Sequence, residues 1–123
     1  MTVDPTLPYD EQNVFAKILR GELPCTKVYE DEWVLAFNDI APLAPVHILV
    51  IPKRHLSSVL ELATDDGGLS SKLLKMAAAV AKDKGLSNRG FRLVFNHGRD
   101  AGQAVNHVHL HLLGGRRLGW PPG

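Results

Sequence analysis

A chain of 123 residues, 45% of them hydrophobic and 22% charged, has an ordinary globular composition and the length to bury one core. Its net charge of +1 gives no general attraction to nucleic acid or acidic membranes, and a single cysteine, Cys25, excludes an intramolecular disulfide and any Cys-x-x-Cys metal site. The longest apolar stretch, residues 44–52, is interrupted by Pro45 and His47 and falls far short of the roughly 20 residues that span a bilayer.

Residues 1–12 contain Pro5 and Pro8 and no hydrophobic period, so they read as a flexible arm ahead of one domain over residues 13–123. Asp4, Asp10 and Glu11 without an apolar run argue against a signal peptide, and with the lone thiol they predict a reducing, cytoplasmic setting. Val14, Phe15, Ile18 and Leu19 make one helical stripe, with Asp10 or Asn13 as its cap and Gly21 as its stop. Cys25 reads as a small, partly buried apolar residue. Residues 27–29 and 33–38 are β-rich, and the acidic Glu30-Asp31-Glu32 between them predicts a hairpin. Pro42 and Pro45 make residues 41–45 a loop. Residues 46–51 then read as a buried strand with one polar residue, His47.

Leu73, Leu74, Met76, Ala77, Val80 and Ala81 predict a long helix over about residues 66–84, ended by Gly85. Residues 91–96 read as a strand, 98–102 as a glycine-bearing loop, and 107–113 as the last strand before Gly114-Gly115. This order of elements predicts an α+β fold with a mostly antiparallel sheet. Lys53-Arg54 and Arg116-Arg117 read as solvated surface, so no nucleic-acid partner is expected. His55 reads as a turn residue, His97 as exposed at a strand end, and Trp120 as part of a docked tail.

Half of the six histidines stand in His107-Val108-His109-Leu110-His111. On a strand, Val108, Leu110 and Leu112 share one face, and the three imidazoles share the other, roughly 6.5–7 Å apart. Such a face could be solvated, could hold a metal with help from His47, or could act on a bound anion. No Cys, Asp or Glu stands next to the triplet in sequence to complete a metal set. The preceding segment, with Asn96, Gly98, Gly102 and Gln103, suits an anion, because glycines let backbone N–H groups approach one closely.

Taken with its surroundings, this segment resembles the histidine triad (HIT) family, and specifically its Hint branch. The resemblance rests on His107-Val108-His109-Leu110-His111-Leu112-Leu113-Gly114-Gly115 and on Gly102-Gln103-x-Val105. It extends to Phe15-Ala16-Lys17-Ile18, Ala36-Phe37-Asn38-Asp39-Ile40, Ala44-Pro45-Val46-His47, Ile51-Pro52-Lys53 and the tail Trp120-Pro121-Pro122-Gly123. It implies a five-stranded antiparallel sheet with two helices, the sheet extended across a homodimer, and a purine nucleotide (an AMP or GMP conjugate) as ligand. Val14, Phe15, Ile18, Leu23, Phe37 and Ile40 would then hold the base and Asp39 the ribose, with Asn38 beside it. Asn96, Gly102, Gln103, Ala104 and Val105 would hold the α-phosphate. His109 would be the nucleophile, assisted by His47, His107 and His111.

The chemistry suits those residue types. A neutral imidazole is nucleophilic near pH 7 if one nitrogen is free and the other gives its proton to a fixed acceptor. His109 would displace an amine from phosphorus, His111 would protonate that amine, and water would release the nucleoside monophosphate. The expected activity is hydrolysis of purine nucleoside 5'-phosphoramidates, without metal or other cofactor. The alternatives are a nucleotide-binding regulatory module with weak catalysis and a zinc-binding protein. Two positions depart from the family pattern: Ala104 lacks the hydroxyl of the usual serine, and Asn106 stands where an aromatic residue is frequent.

Overall fold

Five strands pair antiparallel in the order β1-β2-β3-β5-β4: β1 (Lys27–Glu30), β2 (Val34–Asn38), β3 (Val46–Pro52), β4 (Phe91–Phe95) and β5 (Leu110–Gly114). The helices are α1 (Val14–Leu19), α2 (Val59–Ala63) and α3 (Leu69–Asp83). This is a computed structural model, and it describes residues 2–65 and 67–123. Residue 1, in the predicted arm, and residue 66, at the predicted start of the long helix, lie outside the described residues.

The alternation along β2 and β3 sorts the core into two layers. Val34, Ala36, Ile48 and Val50, with Leu110 and Leu112 of β5, pack against Leu69, Leu73, Met76, Ala77 and Val80 of α3. Leu35, Phe37, Leu49 and Ile51 form the opposite layer with Phe15 of α1, joined at its rim by Ile18, Leu19 and Cys25. Asn13 caps α1, its side chain accepting from the N–H of Ala16, which resolves the choice between Asp10 and Asn13. The long helix starts at Leu69, because Gly68 holds a left-handed conformation at its N-cap. A third helix, α2, was not predicted; five residues are too few to set a helical period. Among the described residues no helix is long and apolar enough to cross a membrane.

The last strand is shorter than its alternation suggests. Regular pairing begins at Leu110, so His107 and His109 lie on extended chain ahead of β5. The ladder stops because Pro52, at the end of β3, has no N–H to offer. The ring of His107 lies 2.8 Å from the Pro52 carbonyl, and the Val108 N–H donates to Leu56. Residues of the predicted arm reach the same region: the Val3 N–H donates to the Gln103 carbonyl, and Asp10 donates to the Asn106 side chain.

Candidate active site

His111 sits directly across from Leu49 in the β3/β5 register, which puts it on the α1 side of the sheet. His47 of β3 is its diagonal neighbour, with Nε2 at 2.9 Å from Nδ1 of His111. His109 follows, its ring centroid 5.0 Å from that of His111 and 5.0 Å from that of Phe15. The triplet therefore shares one face, yet that face is no open surface. His107 is fully buried, His109 is 7% exposed, and only His111 is half-open.

The hydrogen bonds fix which nitrogens carry protons. Nδ1 of His109 lies 2.7 Å from the carbonyl of His107, an oxygen that can only accept, so Nδ1 holds the proton and Nε2 keeps its lone pair. That Nε2 has no hydrogen-bond partner among the described residues and is not one of their solvent-sealed atoms. The Leu43 N–H donates to Nδ1 of His47, so Nε2 of His47 is the protonated nitrogen. It donates to Nδ1 of His111 and faces a carboxylate oxygen of Asp39 at 3.4 Å. Nε2 of His111 is left as an N–H. The site thus presents a lone pair on His109 beside a donor on His111.

The turn ahead of the triplet is built on Gln103, which is 1% exposed. Its amide donates to the carbonyls of Ser57 and Val105 and accepts from the Gly98 N–H, and its own N–H bonds to Gly98. Gln103 therefore has no hydrogen left for a phosphate; it shapes the turn, contrary to the donor role expected of it. The N–H groups of Ala104 and Val105 donate to nothing among the described residues, and Gly102 stands at φ +74°. Asn96 directly follows β4 and is half-buried.

The remaining predicted residues divide between wall and rim. Phe15 and Phe37 meet edge to face at 5.5 Å and are buried, with Ile18 half-buried next to them. Val14, Leu23, Asn38 and Ile40 are exposed, Ile40 almost completely. Asp39 uses one oxygen to cap the Ala41 N–H, as a turn residue would, and turns the other toward His47. Asp39, His47 and His111 bring donor atoms within 4.8 Å of one another, so the fold supplies the carboxylate that the linear sequence did not place next to the triplet.

Two residues were misread. His55 is not a lone turn residue: its ring stacks on Tyr9 at 4.9 Å and pairs with Glu11 at 2.9 Å. His97 is half-buried, its Nδ1 enclosed and without a partner among the described residues, rather than exposed. Trp120, expected in a docked tail near a dimer partner, is 79% exposed in the single chain and carries the Arg92 guanidinium over its ring.

The sequence profile of the HIT domain family matches residues 20–118. The chain belongs to the HIT family. An uncharacterized HIT-like protein of Synechococcus elongatus is 50% identical over 113 residues, covering 92% of this chain and 98% of that protein. The solved HIT family hydrolase of Legionella pneumophila is 50% identical, with a TM-score of 0.85, and the match covers 89% of this chain and 98% of that one. The histidine triad nucleotide-binding protein of Candida albicans is 32% identical, with a TM-score of 0.77, and the match covers 89% of this chain and 83% of that one.

Burial gives this HIT chain a defined response to acid. Desolvation lowers His107 and His111 from the ordinary 6.5 to about 4, with neighbouring imidazoles adding to the effect on both. His109 and His47 are lowered by the same cause, opposed in His109 by its bond to the His107 carbonyl and in both by Asp39. All four rings are therefore neutral at pH 7. The unfolded chain takes up protons on His107 and His111 below about pH 6.5, whereas in the folded chain these two rings resist until about 4. Their stabilisation is complete above pH 6.5 and is lost as pH falls toward 4. Urea unfolding should show about 2 kcal/mol less stability at pH 5 than at pH 7 from His107 alone. A flat profile across that interval would contradict the neutral, buried assignment.

Proposed function

We propose that this HIT chain is a nucleotide hydrolase or nucleotidyl transferase that cleaves purine nucleoside 5'-phosphoramidates through a covalent nucleotidyl-histidine. The observation that carries the reading is the unpartnered Nε2 lone pair of His109, its ring oriented by the His107 carbonyl. Relatives named as a HIT family hydrolase and as a histidine triad nucleotide-binding protein support it.

Phe15, Ile18 and Phe37, with Val14, Leu23, Asn38 and Ile40 at the rim, would hold the base, and Asp39 the ribose hydroxyls. The N–H groups of Ala104 and Val105, with Gly102 and Asn96, would take the phosphoryl oxygens. The bound phosphate's charge favours an added proton on the His47–His111 pair. Nε2 of His109 attacks phosphorus, the P–N bond breaks with its electron pair going to nitrogen, and His111 supplies that nitrogen's proton. Water then attacks phosphorus and gives a proton to the neutral pair. The electron pair of the P–Nε2 bond returns to His109 as the nucleoside monophosphate leaves. A homodimer that continues the sheet would use the open edge of β4, where Phe91 is 40% exposed. The setting would be the cytoplasm.

The test is a substrate panel of AMP and GMP phosphoramidates, acyl phosphates and dinucleoside polyphosphates, with mass analysis of the quenched enzyme. The expected result is turnover of the phosphoramidates and an adduct of nucleoside-monophosphate mass on His109. Binding without turnover or adduct would leave a regulatory nucleotide-binding module instead. The Asp39, His47 and His111 cluster favours zinc as a second reading. Stoichiometric zinc required for activity in tag-free protein would replace the metal-free scheme.

A further inference from the structure

His107, the first histidine of the triplet, is sealed from solvent and has both ring nitrogens occupied. Nε2 lies 2.8 Å from the Pro52 carbonyl, which can only accept, so Nε2 carries the proton. In the neutral ring Nδ1 is then an acceptor, and the group it faces, at 2.6 Å, is the hydroxyl of Tyr9. Tyr9 lies in the segment that the sequence presents as an arm. Its ring stacks on His55 at an interplanar angle of 12°, and His55 in turn pairs with Glu11. On either side the chain is held as well: the Asp10 N–H donates to the Asn106 side chain, and the Asn13 amide donates to the Asn106 carbonyl at 3.1 Å. Asn106 is thus gripped from the arm through its side chain and from the cap of α1 through its carbonyl, one residue ahead of the carbonyl that orients His109.

From this geometry we infer that Tyr9 is a positioning residue for the nucleophile: its hydroxyl fixes the tautomer and rotation of His107, and so holds the His107 carbonyl that keeps the proton of His109 on Nδ1. The inference rests on the reading of His109 as nucleophile for its kinetic consequence, but not for its structural content. The chain of donors runs Tyr9 Oη–H to His107 Nδ1, His107 Nε2–H to Pro52, and His109 Nδ1–H to the His107 carbonyl. Each bond leaves the next group one role. Without the hydroxyl, a buried acceptor on His107 has no donor. The ring is then free to flip and protonate the other nitrogen, and the constraint on the carbonyl weakens. Position 106 fits the same picture: its Asn side chain accepts from the arm.

The experiment is nitrogen-resolved NMR of the histidine rings in the full chain, unmodified and as Tyr9→Phe, beside steady-state kinetics on adenosine 5'-phosphoramidate. In the unmodified chain, His107 should carry its proton on Nε2, and His109 should carry a slowly exchanging proton on Nδ1. In Tyr9→Phe, His109 should show both tautomers with faster Nδ1–H exchange, and kcat should fall about tenfold with KM within about twofold of the parent. A His107 proton on Nδ1 in the unmodified chain overturns the inference, whether or not the variant folds. So does a Tyr9→Phe protein whose His109 tautomer and exchange are unchanged, since a merely structural tyrosine would lower thermal stability and leave them alone. If the unmodified chain does not turn over the phosphoramidate, the proposed reaction fails while the ring spectra still decide the role of Tyr9.

Discussion

Turnover of adenosine 5'-phosphoramidate should fall by at least about 10⁴-fold when His109 is replaced by alanine. No other ring in the site can substitute for it. Both nitrogens of His107 are occupied and the ring is sealed. His47 faces Leu43 and His111. His111 presents an N–H where a nucleophile needs a lone pair. AMP should still bind, because the apolar wall and the N–H groups of Ala104 and Val105 are untouched. His109→Ala removes a packed ring beside Phe15 and costs stability. His109→Gln keeps more of the volume and should be equally inactive. Circular dichroism and AMP binding distinguish a folded, inactive chain from an unfolded one. Retained turnover in a folded, uncontaminated preparation would move the nucleophile elsewhere.

His111→Gln should lower kcat on an AMP–lysine amide by about 10²–10⁴-fold, the range for loss of a positioned general acid. It should have much less effect on an adenylate whose leaving group is a carboxylate. An amine departs only with a proton, whereas a carboxylate departs as it is. The contrast between the two substrates isolates proton donation from geometry, since a displaced backbone or a lost phosphate contact would slow both. Equal losses on the two would exclude His111 from this role and point to its hydrogen bond with His47 as the feature that matters.

The apolar period of α1, the hairpin of β1 and β2, and the run of β3 were all legible because each is a local pattern. The triplet was legible as one face because a two-residue repeat survives even where β5 itself has ended. What could not be read was everything set by contacts between distant segments. Asp39 reaches His47 and His111 through the β2–β3 pairing, and nothing near the triplet in sequence announces it. Gln103 reads as a hydrogen-bond donor to a ligand until the fold places Ser57 and Gly98 around it. Tyr9 was the most hidden, since residues 1–12 lack the periodicity that signals order.

The strand order has a consequence for how the molecule is assembled. β5 is the last strand in the chain, yet it lies between β3 and β4. As the polypeptide emerges from the ribosome, the first three strands and the long helix are complete while the slot beside β3 is still vacant. β4 has no neighbour until the final segment arrives. Loop-closure entropy between β3 and β5 must be overcome before their bonds form, so this closure should be slower than the pairing of β1 with β2. The same insertion brings the imidazoles to His47, so the chain acquires its chemistry only in the step that completes its sheet.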